Sequence, residues 1–177
     1  LVRTNTEFGS ASPDMDETSR LTRGRISPRA GHLYVTQGFI GATADGVTTT
    51  LGRGGSDYTA TILGAVLDAE SVEIWTDVDG IMTSDPRVIP EAQTIPFISY
   101  DEAAELAYFG AKVVHPYTIL PAVRREIPVW VKNTGHPEQP GTRIQTTTEG
   151  GGIRALASKN DITLITVQSS RMLNAYG

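Results

Sequence analysis

The apolar positions of this chain come in short runs separated by glycine-, proline- and aspartate-rich breaks, a rhythm that predicts alternating strands and helices. Leu33, Tyr34 and Val35 predict a short strand over residues 33–36, which residues 38–41 continue towards a loop. Asp45-Gly46 marks a turn before a second strand at 47–50. A helix over roughly 56–68 follows, with Thr59, Leu63, Val66 and Leu67 on one face. The apolar run at 72–75 is then a buried strand, and strand, loop, helix and strand in this order predict a crossover unit with parallel strands. Ser99-Tyr100-Asp101-Glu102 is a capping box ahead of an alanine-rich helix that runs to about Phe109 and stops at Gly110. His115-Pro116 opens another helix, kinked at Pro121, and residues 128–132 and 142–144 are further strands. Nearer the beginning, Ser12-Pro13-Asp14 has the form of a helix start, with Ser12 as cap and Pro13 at the first helical position. That helix has few apolar positions (Met15, Leu21, Ile26) and is broken by Gly24 and Pro28. Threonines and glycines make 146–152 a linker, beyond which 153–157 and 162–167 read as strands and 169–173 as the start of a helix.

The richest stretch is Thr48-Thr49-Thr50-Leu51-Gly52-Arg53-Gly54-Gly55-Ser56-Asp57-Tyr58-Thr59-Ala60. Its glycines free the backbone for positive φ and for close approach of a ligand, and it feeds a helix N-terminus whose unpaired N–H groups suit an anion. Arg53 adds a planar fork for carboxylate or phosphate, Ser56 is a candidate cap, and Asp57 falls in the first turn, where the dipole favours negative charge. A tight strand-to-helix turn is the alternative reading, since the spacing is neither that of the P-loop lysine motif nor that of the dinucleotide fingerprint. Thr76 and Asp77 fall at the end of a predicted strand, where open α/β sheets collect ligands. Asp77-Val78-Asp79-Gly80 lacks the glycine and glutamate spacing of an EF-hand, which excludes that calcium site, and a plain turn remains the other reading. Lys112 lies between two helices, solvated or in contact with phosphate; His115 has no companion at ligand spacing and is structural.

Composition narrows the class. The 177 residues are 39% hydrophobic, enough for a core, and 20 acidic against 15 basic residues give a net charge of −5, which argues against nucleic-acid or membrane surfaces. There is no cysteine, so neither disulfides nor thiolate metal sites exist, in keeping with a cytoplasmic protein. No apolar run reaches the length of a membrane span and no signal peptide opens the chain, which begins with Leu1 rather than Met; a fragment or processed form is expected.

Two further segments stand in order after the glycine loop: Trp75-Thr76-Asp77-Val78-Asp79-Gly80-Ile81-Met82-Thr83-Ser84-Asp85-Pro86-Arg87 and Phe109-Gly110-Ala111-Lys112-Val113-Val114-His115-Pro116. Together the three resemble the motifs of the aspartate kinases, in the amino-acid kinase superfamily. The resemblance implies a mainly parallel three-layer αβα sheet, of which 1–145 would be the C-terminal, nucleotide-binding part of the catalytic domain. Residues 146–152 would be a linker and 153–177 the opening of an ACT domain, a ligand-sensing module. It implies transfer of the γ-phosphoryl group of ATP, bound with Mg²⁺, to the side-chain carboxylate of L-aspartate, the first step towards lysine, threonine and methionine. Arg53 would pair with an aspartate carboxylate; Gly54, Gly55 and Ser56 would face the transfer site; Asp57 would position neighbouring groups rather than act as a base. Thr76, Asp77, Met82, Arg87, Lys112 and Val113 would contact the nucleotide, with Met82 an apolar wall where relatives often carry Tyr. No metal site of the protein's own is expected, and a homo-oligomer with a feedback amino acid at its ACT domains is. The family's Lys-Phe-Gly-Gly-Thr-Ser segment is missing from these residues, so this chain is expected to be inactive alone, with apolar surface of Val35, Phe39 and Ile74 left open. A different amino-acid kinase, or a non-catalytic regulatory subunit, is the alternative.

Overall fold

The computed structural model describes residues 1–29, 31–109, 114–148, 152–158, 161–163 and 165–166. Its elements are α1 (Met15–Arg23), β1 (Ile40–Ala42), β2 (Thr48–Thr50), α2 (Gly55–Leu67), β3 (Val72–Thr76), β4 (Phe97–Ser99), α3 (Tyr100–Tyr108), α4 (Pro116–Val123), β5 (Val129–Asn133) and β6 (Thr142–Gln145). The result is a mixed α/β fold.

The main sheet has the order β3-β5-β6-β4, with β3–β5 and β4–β6 parallel and β5–β6 antiparallel. Alternation decides its faces. Val72 and Ile74 of β3, Val129 and Val131 of β5 and Ile144 of β6 point inwards, against Tyr100 and Ala103 of α3 and Ile119 and Ala122 of α4. On the other face Lys132 Nζ sits 2.6 Å from Glu73 Oε1 and lies over the rings of Trp75 and Trp130. A second, smaller core joins Val2, Leu51, Tyr58 and Ile62 under the β1–β2 hairpin, and α2 packs between the two cores against α1 and α4.

Local signals behave as their chemistry dictates. The capping box closes from both sides: Glu102 N donates to Ser99 Oγ at 3.1 Å and Ser99 N donates to Glu102 Oε2 at 2.7 Å. The Asp45-Gly46 turn forms, with Gly46 N bonded to Thr43 O and Gly46 at φ 81°.

Other expectations fail for identifiable reasons. Residues 33–36 form no strand; Leu33 and Val35 are about 90% exposed because no sheet edge lies beside them, and the hairpin starts only at Ile40. The expected crossover is not built as predicted: β2 pairs with β1 in an antiparallel hairpin, while the parallel partner of β3 is β5, reached after α3 and α4. Asp14, not Ser12, caps α1, its Oδ1 accepting from Glu17 N at 3.0 Å, so Pro13 lies outside the helix. Gly54 occupies the N-cap of α2 and Ser56 lies exposed inside the helix. That helix is buried nearly all round through Tyr58, Thr61, Ile62, Ala65 and Val66, rather than along one stripe, because hairpin and α4 enclose it. Ile74 is buried under α4, whereas Val35 and Phe39 are exposed. Residues 153–157 form no strand, the strand expected over 162–167 and the helix over 169–173 fall wholly or partly outside the described residues, and β4 went unread although Phe97 and Ile98 precede the capping box directly.

One contact pins the loop after β3 to the centre of the sheet. Gly80, at φ 119°, passes so close to β6 that a Cβ would lie 2.5 Å from Thr142 Oγ1. The adjacent Ile81 N–H donates to that hydroxyl at 2.8 Å, and both Ile81 and Thr142 are buried. Thr142→Val keeps the shape but orphans the Ile81 N–H, so urea denaturation should show a loss of about 1–3 kcal/mol at unchanged m-value, most of it restored by Thr142→Ser.

Candidate active site

The glycine loop is assembled from three directions. Thr50 N donates to Phe8 O at 2.9 Å and Ala11 N to Thr50 O at 2.9 Å, so residues 8–11 flank the end of β2. Phe39 N donates to Thr59 Oγ1 at 2.8 Å, and that hydroxyl donates to Gly55 O at 2.8 Å, which ties the hairpin to the first turn of α2. Gly54 is left-handed at φ 67°, and a Cβ there would stand 2.9 Å from Thr118 of α4. The start of α4 is thereby brought against that of α2, and the Thr61 hydroxyl donates to the Thr118 carbonyl to hold them. Arg53 is exposed, and among the described residues its guanidinium makes no hydrogen bond or ion pair. Asp57 is partly buried with no partner among the described residues, and burial pushes its carboxyl above the usual range.

A cavity of about 350 Å³ opens at the C-terminal end of β3. Thr76, Asp77, Met82 and Arg87 all line it, with Ile81 and Leu106 as apolar floor and Leu156 to Ser158 opposite. Its size is within the range of small-ligand pockets. Met82 is held by a bridge to Thr94, and Thr83 N donates to Gln93 O at 2.8 Å, so 82–83 and 93–94 form a short ladder at the rim. Arg87 is already engaged: its Nη2 is 2.6 Å and its Nε 3.2 Å from Asp85 Oδ2, which raises its pKa further. Arg53 to Asp57 are not among the residues lining this cavity, and Lys112 and Val113 lie outside the described residues.

A polar clamp behind the cavity escaped sequence reasoning. Asp79 Oδ1 accepts from Asn133 Nδ2 at 2.6 Å and pairs with His136 Nδ1 at 2.9 Å, while Thr134 N donates to Thr76 O at 2.8 Å. The turn after β5 therefore holds the turn after β3. The hydrogen bond to Asp79 raises the His136 pKa, and the bond to His136, then that from Asn133, lowers that of Asp79.

The amino acid kinase family model matches residues 9–133, which take in the glycine loop and every lining residue of the cavity except Leu156 to Ser158. The chain belongs to the amino acid kinase family. Within this family it is 50% identical, over its whole length, to lysine-sensitive aspartokinase 3 of Escherichia coli, and 47% identical over 73% of its length to the chloroplastic aspartokinase 2 of Arabidopsis thaliana. It spans 40% of the first and 24% of the second. Its structure matches that of E. coli aspartokinase III in complex with aspartate and ADP with a TM-score of 0.82 at 52% identity, covering 89% of this chain and 36% of that one. Aspartate kinase of Clostridium acetobutylicum matches with a TM-score of 0.78 at 33% identity, again over 89% of this chain and 36% of that one. Among the described residues no helix is long and apolar enough to cross a membrane.

In this member of the kinase family the fold thus brings four predicted nucleotide-side residues together and gathers Arg53 to Asp57 at a separate helix start. The clamp titrates in a defined window. His136 is raised, so its contribution is complete below about pH 6.5 and fades as pH rises through its folded pKa; Asp79 is lowered, so its contribution is complete above about 3.9 and fades as pH falls through its folded pKa. An NMR titration should find the His136 midpoint above 6.5, and Asp79→Asn should bring it back towards that ordinary value.

Proposed function

We propose that this chain is the nucleotide-binding part of an aspartokinase, which phosphorylates the side-chain carboxylate of L-aspartate with ATP to give 4-phospho-L-aspartate. The observation that carries this reading is the convergence of Thr76, Asp77, Met82 and Arg87 on one cavity, in a chain so like an enzyme crystallised with aspartate and ADP. Ile81, Met82 and Leu106 suit the flat apolar base, and Thr76 and Asp77 suit the polar edge of the nucleoside. Arg87 reaches phosphate by exchanging its hold on Asp85 for a phosphate oxygen, and Lys112 and Val113 are further nucleotide contacts by the family motif. Mg²⁺ enters as part of the nucleotide complex. At the glycine loop, the uncommitted Arg53 grips a carboxylate of aspartate in its fork, and the backbone of Gly54, Gly55 and Ser56 faces the transferring group at the positive end of α2. Asp57 positions its neighbours: the acceptor is already a carboxylate, so no base is needed and catalysis is alignment and neutralisation of phosphoryl charge. Residues 1–145 belong to the catalytic domain, 146–152 to a linker and 153–177 to the opening of an ACT domain. The intact protein is a cytoplasmic homo-oligomer that feels a feedback amino acid there.

Arg53 provides the test. In the intact protein Arg53→Ala should remove a charge-assisted pair of about 2–5 kcal/mol, lowering kcat/KM for aspartate while ADP affinity by calorimetry stays unchanged. Arg53→Lys should recover little, since a point charge does not replace two parallel bonds. Equal weakening of both substrates would place Arg53 on phosphate instead.

A further inference from the structure

Among the described residues beyond β6, Thr148 and 152–158 do not leave the fold; they are laced back across it. Thr148 Oγ1 donates to Glu102 Oε2 at 3.0 Å, the same carboxylate oxygen that caps α3. Arg154 then straddles the β4–α3 corner, with Nη2 donating to Phe97 O at 3.0 Å and Nε 3.5 Å from Glu102 Oε1. These contacts, with the Ser99 bond foremost, lower the pKa of Glu102 and keep it charged. Ala155 packs on the main core, and Leu156 N donates to Thr83 O at 2.9 Å, adding a third rung to the ladder that holds Met82. Leu156 itself is 61% exposed, yet its side chain lines the cavity at β3. An apolar side chain held open over a cavity by its own backbone bond is half of a contact.

Building on the nucleotide reading of that cavity, we infer that the strap 154–158 is a wall of the nucleotide site: Leu156 covers the bound base, and Arg154, through Glu102 and Phe97 O, positions it. The boundary between catalytic and regulatory parts then runs through the pocket, and nucleotide occupancy is linked reciprocally to the position of whatever follows Ser158.

The test uses the intact protein, with ADP as probe. Leu156→Ala removes the cover and Arg154→Ala its anchor, and each should weaken ADP by about three- to tenfold while KM for aspartate is unchanged. Arg154→Lys, which still reaches Glu102, should recover part of the loss. Hydrogen exchange gives a readout that a merely structural role would not move: ADP should slow exchange of the amides of 155–157 in the wild type, and less in Arg154→Ala. ADP binding equally well to wild type and both alanine variants, with exchange at 155–157 unaltered, overturns the strap. Failure of the folded wild type to bind ADP overturns the nucleotide reading beneath it.

Discussion

The contact between Gly80-Ile81 and Thr142 is the constraint on which the rest of the site hangs. β3 ends at Thr76, and the chain then makes an excursion of some twenty residues before β4 begins at Phe97. Such a loop would carry its own closure entropy and no fixed shape unless something buried it. Thr142 does so from the middle of the sheet, where it is fully buried and its backbone pairs with Val131. Ile81 is drawn under the loop, Ile95 N reaches Ile81 O at 2.8 Å, and the Met82–Thr94 bridge follows. The cavity is the space left between that pinned loop and the end of β3.

The two halves of the candidate site differ in how their charges rest. At and near the cavity three basic side chains each have a carboxylate at hand: Arg87 has Asp85, His136 has Asp79, Arg154 has Glu102. All three pairs are partly exposed, so they steer geometry more than they stabilise the fold. At the glycine loop Arg53 is held by no described partner and Asp57 is half-withdrawn from water with its pKa raised. The first arrangement settles its charges within the fold; the second leaves an exposed guanidinium and a half-buried carboxyl without described partners.

Much of this was legible along the chain because it is local. A capping box, an Asp-Gly turn, the apolar strands that became β3, β5 and β6 and a glycine-rich helix start are all written within a few positions of one another, and these formed. What failed was decided by partners far away. Residues 33–36 have a strand's composition but no neighbouring edge, and β2 chose the adjacent β1 over the distant β3. Of the site, Thr76, Asp77, Met82 and Arg87 could be named because they lie within one continuous motif. The Asp79–His136 pair bridges two turns 57 positions apart, and the Glu102–Arg154 pair joins a helix cap to a segment expected as a strand beyond the linker. Neither spacing carries a signal.

The strand order has a consequence for how the molecule comes into being. β3 and β4 are the outer strands of the main sheet, and the two strands between them, β5 and β6, come later in the chain. Among the described residues Ile74 and Ile98 find their strand partners only in β5 and β6, so these four strands come together only after Gln145 has been added. The antiparallel β5–β6 unit, joined by a short connection, then slots in as a wedge whose two outer edges each accept a waiting strand in parallel. Folding of this region is therefore post-delayed rather than progressive, dominated by contacts of long sequence separation. Until the wedge arrives, the apolar strands are exposed to other chains, the interval in which a chaperone matters most.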